Sequence, residues 1–204
     1  MAFSLSMQSL TVGVLALHGD VREHVEAINE AGANLKISVV VVPVRTVGDL
    51  GTLDALIIPG GESTTLQKLC EREGMFQKMK KVKNIFGTCA GAILLAKEVL
   101  HASEGQKTLE LVDIEVDRNA YGRQNESFEK VIKTELGSMN AVFIRAPKIT
   151  RVGRGVKVLA RNGAEIIACE ERVGGRYYLA TCFHPEYTSS TFHKYFLKEA
   201  LRKR

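Results

Sequence analysis

The apolar positions of this chain follow two rhythms. The segments "LTVGVLAL" (10–17), "KISVVVVPV" (36–44), "LDALIIPGG" (53–61) and "VKNIFGT" (82–88) are nearly continuous apolar runs, rich in β-branched residues. That is the pattern of strands buried on both faces. Between them the spacing turns helical. Val21, Val25 and Ile28 fall at i, i+4 and i+7 behind Asp20, a capping residue type, and predict a helix ending near Gly32. Leu66, Leu69 and Cys70 share one face of a predicted helix over about 64–80, and the segment from Ala90 to about Val99 reads as another. The second half is richer in strands. "LELVDIEVD" alternates, and "AVFIRAP", "GVKVLAR", "AEIIACEE" and "RYYLATCFHPE" predict short strands or hairpins, the later ones punctuated by Gly153, Gly155, Gly163, Gly174 and Gly175. A last helix over about 189–201 turns Phe192, Tyr195 and Phe196 inward. Alternating buried strands and helices predict an α/β fold with a central, mostly parallel sheet covered on both faces. In such sheets ligands bind beyond the carboxyl ends of the strands.

Composition narrows the function classes. The 204 residues fit one domain, 1–204, with 1–10 expected as a loose N-terminal extension. Hydrophobic residues at 45% and charged residues at 25% are ordinary for a soluble globular protein. The net charge of +5 is scattered, apart from clusters at 78–83 and 202–204, and is not interleaved with aromatics, which argues against nucleic acid as a partner. No apolar run approaches the roughly 18 residues of a membrane span. Cys70, Cys89, Cys169 and Cys182 form neither a C-x-x-C pair nor a zinc-like spacing. With no secretory signal in "MAFSLSMQSL", free thiols in a reducing cytoplasm are expected.

Three segments carry chemistry. In "GTCAG", Gly87-Thr88-Cys89-Ala90-Gly91 has the G-x-nucleophile-x-G form of a strand-to-helix elbow. Small flanks are needed there because bulkier ones would collide with strand or helix. At a helix N-terminus Cys89 meets the positive end of the dipole, which favours a thiolate, and the Ala90 N–H is free for an oxyanion. The bland alternative is a packed cysteine among small residues. A nucleophilic thiol needs a base and the base an orienting group. His184 ends the apolar strand of "ATCFHPEY", with Glu186 two residues on and on the same side of an extended chain that Pro185 helps hold. Cys89, His184 and Glu186 can then form a triad. A functionless polar strand end, or a metal on Cys182, His184 and Glu186, are the competing readings; the three would splay apart on one strand and no fourth ligand is evident. Finally, Gly60 and Gly61 in "IIPGGESTT" allow close backbone approach to a ligand and a second oxyanion donor, while Ser63 and Thr64 are plausible caps of the next helix.

Together "PGGES", "GTCAG" and "FHPE" resemble the class I (triad) glutamine amidotransferases, whose flavodoxin-like three-layer sandwich is the fold expected here. "GVLALHGDVREH", "DRNAYGRQNESFE" and "FIRAP" narrow the resemblance to the glutaminase subunits of pyridoxal 5'-phosphate synthase, from about Thr11 to Phe196. The resemblance implies Cys89 as nucleophile, His184 as general acid/base and Glu186 as its orienting partner. It implies glutamine binding by Gly61, Glu62, Ser63, Arg118, Ile144 and Arg145, with Arg118 and Arg145 engaging carboxylates or held by Glu62 in the pocket wall. It further implies no cofactor and no metal, and transfer of ammonia to a TIM-barrel synthase subunit. The alternatives are a triad glutaminase of another synthase, such as imidazole glycerol phosphate synthase, a non-catalytic regulatory member, or a cysteine peptidase or thiol-stress protein on a similar sheet. One departure stands out: His18 occupies the place of the family's usual glutamine in L-Q-G. An imidazole replaces one amide hydrogen bond but not both, and it can charge near neutrality.

Overall fold

A computed structural model describes residues 8–119 and 127–202. Most of "NAYGRQNE" within the motif at 117–129 therefore lies outside the described residues, as do 1–7 and 203–204. The apolar runs of the first half form β1 (Ser9–Leu15), β2 (Ser38–Val44), β3 (Ala55–Ile58) and β4 (Asn84–Thr88). The second half adds β5 (Ala96–Leu100), β6 (Val112–Asp117), β7 (Phe128–Thr134), β8 (Gly137–Phe143), β9 (Lys148–Val152), β10 (Val156–Asn162), β11 (Glu165–Val173) and β12 (Arg176–Thr181). Strands β2-β1-β3-β4-β12 lie side by side and all parallel. From β12 the sheet continues antiparallel through β11, β10, β7 and β8. β5 and β6 join it through β9. The helices are α1 (Val21–Leu35), α2 (Ser63–Arg72), α3 (Phe76–Met79), α4 (Ala90–Leu95) and α5 (Thr191–Leu201). α1 and α5 pack on each other, and α2 contacts α3 and α4. The result is the expected α/β three-layer architecture.

Burial follows position in the sheet. All four residues of central β3 are fully buried. β2 was expected to be buried, but it is the sheet edge and Val40 is 54% exposed. Pro43 explains this, since a residue without an N–H is confined to edges. Ser9 and Leu10 pair with Ser38 and Val39, so part of the expected loose extension belongs to β1.

Three helix expectations change. α1 runs past Gly32 to Leu35 and stops at Lys36 in the left-handed conformation. The stretch 64–80 splits into α2 and α3 at Gly74, whose φ of 67° ends α2, with Met75 N–H donating to the Cys70 carbonyl at 2.8 Å. α4 ends at Leu95 rather than near Val99. The Leu109 and Leu111 N–H groups take the carbonyls of Leu94 and Leu95, and the chain leaves to pair with β6. β7, β9 and the 3₁₀ turn Val47–Thr52 were not anticipated.

Candidate active site

β4 ends at Thr88 and α4 begins at Ala90, leaving Cys89 alone in the turn. Its φ of 49° and ψ of −104° are a conformation that costs an L-residue of the order of 1–3 kcal/mol. The turn is held by the Cys89 N–H donating to the Thr181 carbonyl of neighbouring β12 at 2.8 Å. Packing forbids larger neighbours: a Cβ on Gly91 would lie 2.1 Å from the Ile58 carbonyl oxygen. As first residue of α4, Ala90 has an N–H without an intrahelical acceptor. The thiol is 5% exposed and 3.8 Å from the Ile144 carbonyl oxygen.

His184 arrives from the next strand. It lies three residues beyond β12 and bridges to Val142 of β8, with its N–H on the Val142 carbonyl at 2.8 Å. The chain then does not stay extended as expected; Pro185 opens a 3₁₀ turn, Pro185–Tyr187. Its fixed φ suits the first position of such a turn. Glu186 is therefore brought back to His184 by curvature, and its Oε1 lies 2.8 Å from His184 Nδ1. A carboxylate only accepts, so Nδ1 carries the hydrogen and Nε2 is left for the thiol. Burial opposes a charged His184, but the neighbouring Asp20, Cys89 and Glu186 outweigh it and raise its pKa well above the histidine range. Burial raises Glu186, and the His184 bond works against that rise.

Asp20 departs from its expected part. It stands at the N-cap of α1 but makes no side-chain cap bond. One carboxylate oxygen is 3.3 Å from His184 Nδ1 and the other accepts from the Tyr187 hydroxyl at 2.9 Å. The hydrogen bond to His184, opposed by partial burial, lowers its pKa. His184 thus faces two carboxylates.

A cavity of about 290 Å³ opens above these groups. Gly61, Glu62, Ser63, Cys89, Arg118, Ile144, Arg145 and His184 line it, together with Asp20, Ile93 and Asn119. Gly60, Ala90 and Glu186 are not among the lining residues, though each adjoins one in the chain or by hydrogen bond. A Cβ on Gly60 would come within 2.3 Å of His184 Cε1, and Gly61 has φ 133° with the exposed His18 ring against its Cα. Glu62, rather than Ser63 or Thr64, caps α2: it accepts from the Thr64 and Thr65 N–H groups at 3.1 and 2.5 Å. Burial opposes its charge, yet bonds from Thr65 and Thr64 hold its pKa at about 2. Ionised Glu62 also grips Arg118 at 3.1 Å, whose other nitrogen donates to Thr64, Ser103 and Gln106. Arg118 is therefore part of the wall, while exposed Arg145, with φ 43°, leans on the opening without a protein partner among the described residues.

A larger groove of about 800 Å³ lies at the opposite, N-terminal end of the strands, beside Asp54 and Asn84. No cysteine, serine, threonine or histidine lines it, so the larger volume does not mark the chemistry. The metal alternative also changes: Cys182 is sunk in the core, and the groups that converge are Asp20, His184 and Glu186, with one ligand atom each within 4.8 Å of one another. The imidazole Nδ1 among them is already committed as a hydrogen-bond donor, which does not suit a metal ligand. Asp20 in this role, Ile93 and Asn119 escaped the sequence reading. Asp20 looks like any helix cap, and no local spacing links it to a residue 164 positions later.

An elbow at the carboxyl end of a parallel sheet occurs in several enzyme classes; the chain belongs to the SNO glutamine amidotransferase family, whose model matches residues 14–202. Nearer relatives are more specific. The chain is 46% identical over 198 residues to the pyridoxal 5'-phosphate synthase subunit PdxT of Oenococcus oeni, covering 93% of this chain and 96% of that protein. It is 47% identical over 197 residues to the protein of the same name from Thermus thermophilus, covering 93% and 97%. A crystal structure of a glutamine amidotransferase, 46% identical, superposes with a TM-score of 0.78 over 93% of this chain and 98% of that one. Among the described residues, no helix is long and apolar enough to cross a membrane.

Proposed function

We propose that this chain is the glutaminase subunit of a pyridoxal 5'-phosphate synthase, hydrolysing L-glutamine and passing the ammonia to a synthase subunit. Cys89 Sγ attacks the side-chain amide carbon of glutamine while the Ala90 N–H and the Gly60–Gly61 backbone receive the oxyanion. The C–N bond breaks as His184 protonates the departing ammonia, leaving a glutamyl thioester on Cys89. His184 then takes a proton from water, which attacks the thioester and releases glutamate and the thiol. Glu186 orients His184 throughout. Arg145, without a protein partner among the described residues, is the cation for the substrate α-carboxylate, and ionised Glu62 serves the α-ammonium while holding Arg118. In the resemblance the acceptor is a TIM-barrel subunit that assembles pyridoxal 5'-phosphate from ribose 5-phosphate and glyceraldehyde 3-phosphate.

The observation that carries this reading is the strained Cys89 turn facing a His184–Glu186 pair bonded at 2.8 Å. The test is glutamate release with and without a synthase partner, for the parent and for Cys89→Ala. Expected is partner-stimulated hydrolysis that Cys89→Ala lowers by about 10³-fold or more. A glutamine-mimicking chloroketone should label Cys89 covalently. Full activity in Cys89→Ala would end the catalytic reading.

A further inference from the structure

Behind Glu186 lies a pair of histidines that the triad chemistry leaves unused. His24 of α1 and His193 of α5 are both fully buried, with ring centroids 5.1 Å apart and Phe86 of β4 edge-on to each. His24 Nδ1 is 2.8 Å from His193 Nε2. On its other side, His24 Nε2 is 3.1 Å from Thr88 Oγ1 and 3.5 Å from Glu186 Oε1. Burial keeps both rings neutral: His24 is pushed well below the histidine range and His193 down to about 3. Each ring therefore carries one N–H, and two rings give four combinations.

Geometry eliminates three of them. Hydrogens on both facing nitrogens would collide at 2.8 Å, and hydrogens on neither would set two lone pairs against each other. If His24 carried its hydrogen on Nδ1, His193 would need its own on Nδ1, where no partner exists among the described residues. A stranded buried N–H is costly. The remaining arrangement has His193 Nε2–H donating to His24 Nδ1, and His24 Nε2–H donating to the Thr88 hydroxyl at 3.1 Å. At 3.5 Å from Glu186 Oε1, the same N–H sets its partial positive charge beside a buried carboxylate whose Oε2 has no partner among the described residues.

We infer that His24, set in its tautomer by His193, is a positioning residue that holds the Glu186 carboxylate ionised and against His184. The inference rests on the reading of Cys89, His184 and Glu186 as the triad. The other titratable groups that act on this carboxylate or its partner are Asp20 at the start of α1, His184 and Tyr187 from its own turn, and Cys89. Asp20 repels the charge, Tyr187 bonds to Asp20, and His184 donates from the front. His24 sets its Nε2–H beside the carboxylate from behind, at 3.5 Å. Deprived of that N–H, Glu186 draws the proton it shares with His184 more strongly, and the pair holds it to higher pH.

The experiment measures glutaminase activity of the complex with its synthase partner across about pH 6 to 9. His24→Phe should lower kcat about tenfold, the scale of a lost dipole beside a buried charge, and leave KM for glutamine within about twofold. The acid limb of the profile should move up by about half a unit or more. Glutamine carries its amide nitrogen where the imidazole has Nε2, so His24→Gln should restore most of kcat and His24→Asn should not. Nitrogen-15 imidazole shifts of the parent chain, read without turnover, should show hydrogens on Nε2 of both rings. A folded His24→Phe with the parent's kcat and profile would overturn the inference, as would a hydrogen on Nδ1 of His24. If His24→Phe does not fold, the tautomers decide. Activity surviving in Cys89→Ala would instead overturn the triad reading while leaving the tautomers measurable.

Discussion

At Gly60 the site tolerates no side chain at all, because it would displace the His184 imidazole, the proposed base. A methyl group there would stand 2.3 Å from His184 Cε1, so either the ring or the Gly60–Gly61 backbone must move. Gly60→Ala is expected to lower glutaminase kcat at least 100-fold, the effect of about 1 Å of misplacement, while glutamate release and thermal unfolding together separate this from misfolding. His18 acts more gently. Its ring lies against Gly61 Cα, next to the proposed oxyanion backbone, where the resembling family has an amide. An imidazole there can replace one amide hydrogen bond but not both. His18→Gln should keep activity but change kcat for glutamine; unchanged kcat and KM would show that His18 is silent. The residues of the elbow were legible because their chemistry is local: a small-flanked cysteine and a His-Pro-Glu are visible without coordinates. Asp20 and His24 were not. A carboxylate before a helix and a histidine on an apolar helix face are ordinary local features, and only contact with His184 and Glu186 gives them meaning.

At the scale of elements, the strands of the parallel half were read within a few residues, since burial on both faces imposes an apolar run that few other structures share. Helix ends were read less well. The break between α2 and α3 is made by one residue, Gly74, in the left-handed region with open space where a Cβ would stand. Gly74→Ala therefore meets no clash, and its cost is backbone strain alone, about 1–2 kcal/mol in chemical denaturation. A cost near zero would mean that the turn relaxes. The early end of α4 has a different origin. Its last carbonyls are taken by Leu109 and Leu111, more than ten residues away, so nothing within α4 announces it. The turn at Pro185 was likewise misread as extended chain. Proline fixes φ but is at home in both conformations, and the bridge from His184 to Val142 of β8 helps decide between them.

The whole molecule carries a pH signature from its buried histidines. Both have pKa values lowered on folding, to about 3 for His193, because burial disfavours the charged ring. The unfolded chain then binds more protons below its ordinary histidine pKa of about 6.5, so the contribution is complete above that pH and is lost as pH falls toward about 3. His193 should destabilise the fold by about 1.4 kcal/mol per pH unit through that window, and His24 acts in the same direction. Glu186, whose pKa is raised by burial, offsets part of this, and Glu62 joins only between its ordinary 4.5 and about 2. Thermal unfolding should show Tm falling from pH 7 to about 5, and falling less in His193→Phe. Equal slopes in the two chains would place the acid sensitivity elsewhere.

By itself the sequence determined the layered α/β class, the strands that build its parallel half and the three segments that carry chemistry. These follow from hydrophobic periodicity and from residue types whose reactivity is intrinsic. The tertiary structure alone decided which groups converge on them. It set Asp20 beside His184, made Glu62 both a cap and the anchor of Arg118, and lined up His193, His24 and Glu186 behind His184. Such contacts join residues far apart in the chain, and hydrogen bonds between distant polar groups leave no period for a sequence to display.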